Sequence, residues 1–147
     1  MFRVIDTHCH LDFPDYDNDR EILIKNILDS GIGMITIGTD IASSKKAVEI
    51  AGKYAGVYAS IGVHPHNLVS GFKEEFYDLV KNEKVAGIGE CGLDYFGENI
   101  DKKAQKDLFV KQIELAAAAS KTLVVHSRES YKETHEILKK YTGKLMG

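Results

Sequence analysis

VAGIGE at Val85–Glu90 is an apolar run that ends on a carboxylate, and TLVVH at Thr122–His126 is another that ends on an imidazole. Between them, Lys102–Ser120 carries helical spacing over its whole length. Strand, helix and strand in this order make a crossover unit whose strands run parallel. The alternation continues outward in both directions. FRVID from Phe2 reads as a short strand, and Asp17–Ser30 as a helix through Ile22, Leu23, Ile27 and Leu28. Gly31 is placed to end that helix, because glycine takes the left-handed conformation without steric cost. MITIG from Met34 is the second strand, followed by a helix over Ser43–Tyr54 with Val48, Ile50 and Ala51 inward. VYASIGV from Val57 is the third strand, and Lys73–Val80 is a shorter helix. Beyond TLVVH comes a helix over Tyr131–Tyr141, and LMG at Leu145–Gly147 reads as the beginning of a further strand.

Five strand–helix units in series predict a parallel α/β sheet in a single domain spanning residues 1–147. The chemistry decides between an open and a closed sheet. His8 and His10, His64 and His66, Glu90, and His126 all stand at C-terminal strand ends. That distribution belongs to the TIM barrel, where several strand ends converge on one site. A doubly wound sheet gathers its chemistry at one crevice with a glycine-rich loop, and no GxGxxG or GxxxxGK[ST] follows any strand here. A closed eight-unit barrel needs about 200–250 residues. The expected fold is therefore an incomplete TIM-type barrel of five parallel units.

The composition is that of an ordinary globular chain: 44% apolar, 28% charged, 13 glycines and 2 prolines. Nineteen Lys+Arg against 22 Asp+Glu leave a formal charge of −3, so no basic excess marks general nucleic-acid or membrane affinity. Two cysteines are too few for a disulfide scaffold and point to a reducing compartment. The apolar runs are too short to span a membrane, and a strand pattern from Phe2 leaves no room for a signal peptide. The cytoplasm is the expected location.

DTHCHLD at Asp6–Asp12 places His8 and His10 on one side of a strand and turns Cys9 away. Two such imidazoles suit a divalent metal, and Asp6 and Asp12 are placed to orient them. Hydrogen-bonded structural histidines would share the spacing, but the strand-end position and flanking acids favour ligands. Glu90 ends a strand and has two oxygens, so it can bridge two cations. A capping or salt-bridging acid is the bland alternative, weakened by the glycines on either side. His126 repeats the strand-end pattern, and Arg128 is positioned to meet an anionic substrate. Of His64 and His66, separated by Pro65, His64 is the better candidate for substrate contact. His135, among Lys132, Glu133 and Glu136, reads as a solvated surface residue. Cys9 and Cys91 read as small buried hydrophobes facing the helices.

VIDTHCHLD, GVHPH, GECGLDY, the helix QKDLFVKQIELA from Gln105, and LVVHSR resemble the TatD family in order and spacing. The resemblance covers essentially the whole chain. It implies a metal-dependent deoxyribonuclease of the amidohydrolase superfamily on a TIM barrel, of which this chain matches the N-terminal part. Carried over, His8 and His10 would bind one divalent metal, Glu90 would bridge to a second, and His126 would bind that one. His64 would lie near the substrate phosphate. Mixed histidine and carboxylate ligands admit Zn, Mn, Fe or Mg, and the resemblance favours Mg. Its general-base Asp belongs to an ETD-like segment and a further metal-binding His to an HCFSG-like segment. Neither segment occurs here, so no catalytic acid–base residue is assigned, and KLMG from Lys144 matches the residues before that His.

The expected function is hydrolysis of phosphodiester bonds in DNA, with DNA as partner and no membrane. The alternatives are another hydrolase of the superfamily, acting on amide, lactone or phosphotriester bonds, or a non-catalytic fragment. Glu90, where many relatives carry a carboxylated lysine, together with GVHPH, favours the nuclease.

Overall fold

The computed structural model describes residues 2–146. The chain alternates β1 (Val4–Cys9), α1 (Arg20–Asp29), β2 (Ile32–Ile37), α2 (Ile41–Lys53), β3 (Val57–Ile61), α3 (Glu75–Leu79), β4 (Val85–Asp94), α4 (Lys102–Ala119), β5 (Thr122–Arg128) and α5 (Tyr131–Lys139). All strand pairs are parallel, and the strands lie in the order β1-β2-β3-β4-β5. Each strand thus sits beside its predecessor with no reversal. A doubly wound sheet reverses direction at a switch point, whereas a barrel advances in one sense. The fold is five consecutive units of the barrel.

The helices bury their apolar stripes against one side of the sheet. Ile24, Ala47 and Ile50 meet Met34, Val57 and Ala59. Phe76, Leu115 and Ala116 meet Ile61, Val85 and Ile88. Phe109 and Ile113 cover Cys91 and Leu93, with Ile137 and Leu138 of α5 alongside. Burying each of the Ile, Leu, Val, Met and Phe side chains among these stabilises the fold by about 1.5–3 kcal/mol. The other side of the sheet is open, and a cavity of about 430 Å³ lies over Thr7, Ile35, Ser60, Gly87 and Val124. Among the described residues no helix is long and apolar enough to cross a membrane.

Two local features matter for the site. Asp40 caps α2, accepting from the Ser43 amide while the Ser43 hydroxyl accepts from the Asp40 amide, so this helix begins before the expected Ser43. The larger departure is β4, which runs through Asp94 rather than ending at Glu90. Its pairing with β5 steps from Ile88↔Leu123 to Cys91↔Val125, so β4 advances one residue more than its partner. This bulge lets both Ile88 and Cys91 face the helices despite their odd spacing, and Glu90 lies within it. Simple alternation does not anticipate such an insertion. At the far end Met146 pairs with Thr122 in a parallel bridge, where LMG was expected to begin a strand, while Gly147 lies outside the described residues.

Candidate metal centre

β1 ends at Cys9, and the chain turns immediately through His10 and Leu11. The turn is pinned from α1, where the Arg20 guanidinium donates to the carbonyls of Leu11 and Phe13. His10 is oriented by the neighbouring strand. Its Nδ1 lies 3.0 Å from the Ile37 carbonyl, which can only accept, so the neutral ring carries its proton on Nδ1 and its lone pair on Nε2. Phe13 stacks on the outer face of the same ring at 4.7 Å. The sequence-based expectation that Asp6 and Asp12 orient the histidine rings is corrected here. Asp6 accepts from the His8 backbone amide. Asp12 is buried, its Oδ1 has no partner among the described residues, and burial pushes its carboxyl up.

Glu90 lies between two groups of side chains. Its Oε2 is 3.4 Å from His8 Nε2, and its Oε1 is 3.1 Å from His126 Nδ1. His8, His10 and Glu90 bring ligand atoms within 4.8 Å of one another, and so do His64, Glu90 and His126. The structure therefore gathers His8, His10, Glu90, His126 and His64 at the C-terminal end of the sheet.

His64 differs in character from the others. Its Nδ1 accepts from the His66 amide at 3.1 Å, which puts the ring proton of the neutral form on Nε2. Burial, with the neighbouring His126, lowers its pKa to about 4, so it is neutral at neutral pH and offers a donor rather than a lone pair. Arg128 is exposed at the end of β5, with its guanidinium 3.6 Å from the centre of the Phe96 ring. His135 is exposed on α5. Burial pushes the Cys9 thiol up to about 12 and raises that of Cys91 further, in keeping with both being packed against the helical layer.

One site residue escaped the sequence reading. Asp94 is buried at the end of β4, with Oδ2 2.8 Å from His126 Nε2 and 3.0 Å from His66 Nε2. Burial alone would raise its carboxyl, but the Phe96 amide and the two histidines outweigh that and hold it below the ordinary value. The signal was present in GECGLDY. It was missed because β4 was ended four residues early.

The donor set of imidazole nitrogens and a shared carboxylate fits a divalent cation of hard or borderline character. The wider comparison points the same way. The pattern of the TatD related DNase family matches residues 5–146. The chain is 32% identical to the uncharacterized metal-dependent hydrolase YabD of Bacillus subtilis, over 98% of this chain and 58% of that one. It is 27% identical to the 3'-5' ssDNA/RNA exonuclease TatD of Escherichia coli, over 98% of this chain and 57% of that one. The crystal structure of YjjV, a TatD homologue from Escherichia coli, superposes with a TM-score of 0.84 at 29% identity, covering 95% of this chain and 56% of that one. The chain thus spans somewhat over half the length of these relatives. Matched by the family pattern over residues 5–146 and sharing the fold of YjjV, the chain belongs to the TatD related DNase family.

Proposed function

We propose that this chain carries a metal centre for the hydrolysis of phosphodiester bonds in DNA. The observation that supports this most is the position of Glu90, one oxygen facing His8 and the other facing His126. One carboxylate is thereby available to two cations. His8, His10 and Glu90 would hold one, and Glu90 and His126 would hold the other. Divalent cations, with Mg proposed and Zn or Mn as alternatives, supply Lewis-acid polarisation of a phosphoryl oxygen and lower the pKa of water.

The surrounding residues perform the remaining tasks. Ile37 keeps the His10 Nε2 lone pair free, so this ring needs no reorientation to bind. Neutral His64 donates from Nε2 to a phosphate oxygen. Arg128, held over Phe96, adds a positive charge at the mouth of the site in a chain of net charge −3. Nucleic acid as substrate is supported by the kinship with TatD of Escherichia coli, named as a 3'-5' ssDNA/RNA exonuclease. The free cysteines Cys9 and Cys91 support a reducing compartment, the cytoplasm.

The test is cleavage of an end-labelled single-stranded oligodeoxynucleotide with Mg, with and without chelator, beside calorimetric titration of Mn. Chelator-sensitive cleavage, far slower than that of a full-length relative and lost in Glu90→Gln, is expected. Chelator-resistant cleavage, or a chain that neither cleaves nor binds cation, removes this reading.

A further inference from the structure

Asp94 is engaged at every polar atom it possesses. Its amide donates to Gln105 Oε1 at 2.8 Å, and its carbonyl accepts from Gln105 Nε2 at 2.8 Å. Its Oδ1 accepts from the Phe96 amide at 3.0 Å, and its Oδ2 faces His126 Nε2 at 2.8 Å and His66 Nε2 at 3.0 Å. Only 1% of the side chain is exposed. With its backbone clamped by α4 and one oxygen held by the following amide, this carboxylate has a single direction left for Oδ2. That direction leads to the His126 ring at 2.8 Å, with the exposed His66 ring beside it at 3.0 Å.

We infer that Asp94 is the positioning residue that fixes the proton of His126. An ionised carboxylate offers lone pairs and no donor, so Asp94 and Glu90 each favour hydrogen on the His126 nitrogen facing them, and a neutral ring has one proton to give. The shorter contact is to the more deeply buried carboxylate, 2.8 Å to Asp94 against 3.1 Å to Glu90, so the proton is held at Nε2 and the Nδ1 lone pair is left on the Glu90 side. This inference deepens the metal-centre reading and rests on it for its consequence. The ring must present a lone pair, not a proton, to any cation shared with Glu90. Glu90 is the poorer candidate for this task, because its side chain is more exposed than that of Asp94 and its oxygens are divided between His8 and His126. His66 is an exposed second donor to the same oxygen and is not needed to hold the His126 proton.

The proton is directly observable. Two-bond ¹H–¹⁵N correlation spectra of the metal-free, ¹⁵N-labelled chain are recorded at a pH high enough for the rings to be neutral, with His126 assigned from a His126→Gln variant. The wild-type ring is expected to show the Nε2–H form. Asp94→Asn keeps the shape of the side chain. With Oδ1 retained by the Phe96 amide, its NH₂ group faces Nε2 and drives the proton to Nδ1. The same variant should bind Mn about 10–100-fold more weakly by calorimetry, whereas His66→Gln should leave the His126 proton in place. An Nδ1–H ring in the wild type overturns the inference, as does an Asp94→Asn variant whose ring stays Nε2–H. If Asp94→Asn does not fold, the wild-type spectrum decides alone. An Nε2–H wild-type ring in a chain that binds no Mn supports the positioning role and overturns the metal-centre reading instead.

Discussion

Gln112 of α4 and Val63, two residues beyond β3, are bound to each other twice. The Gln112 Oε1 accepts from the Val63 amide at 2.7 Å, and its Nε2 donates to the Val63 carbonyl at 3.0 Å. Gln105, two helical turns earlier on the same face, grips Asp94 in the same way. One helix thus secures both the residue before His64 and the carboxylate beside His126. Buried backbone groups need partners, and these two strand ends find theirs in side chains of α4.

Gln112→Leu should therefore destabilise the fold well beyond an ordinary surface change. It strands the Val63 amide and carbonyl, at a cost of about 1–3 kcal/mol for each unpaired group. Urea denaturation monitored by circular dichroism measures the loss. A change within about 0.5 kcal/mol, typical of surface substitutions, would show that the clamp contributes nothing.

Gly92 makes a second demand. It has φ of +148° and is paired in register with His126, and a Cβ there would overlap the His126 carbonyl. Gly92→Ala should cost about 1–3 kcal/mol in strain and overpacking and separate β4 from β5 beside the site. Wild-type stability in that variant would contradict the close approach of the two strands.

Cation binding should distinguish the shared ligand from the unshared ones. Glu90→Ala is expected to remove both binding events in calorimetric titration with Mn. His10→Ala should remove one and leave the other, as should His126→Ala. Folding should change little, since none of the three belongs to the apolar core. If Glu90→Ala retains one event at wild-type affinity, the carboxylate is not shared.

Arg128 and Phe96 should act as a pair on nucleic acid. In chelator, fluorescence anisotropy of a labelled single-stranded oligonucleotide should show weaker binding to Arg128→Ala. The slope of log K against log salt should fall by about 0.7, the value for one lost phosphate contact on a single strand. Phe96→Ala should weaken binding too, because Arg128 loses the ring beneath it. An unaltered salt slope in Arg128→Ala would place this residue away from phosphate.

Hydrophobic periodicity was enough to order the strands and helices, because each element must turn its apolar residues towards the layer it packs on. It also singled out His8, His10, Glu90 and His126 as candidates, since imidazole and carboxylate stand out against apolar runs, although β4 continues past Glu90. It failed at the end of β4, where the bulge between Ile88 and Cys91 resets the alternation and carries the strand on to Asp94. A bulge is a property of two paired strands, and no single strand announces it.

The sequence by itself therefore determined the parallel α/β order, the TIM-barrel type of fold and the residue types available for chemistry. All of these follow from local patterns of burial and polarity. Only the tertiary structure decided which atoms meet. Asp94 reaches His126 across 32 residues, and Gln112 closes on Val63 across 49, because the parallel register and the α4 crossover bring those strand ends together. The free nitrogen of His10 was set in the same way, by the Ile37 carbonyl of the adjacent strand. Hydrogen-bond direction depends on partners that are distant in the chain, and folding has to supply them before a ring acquires a side that can bind.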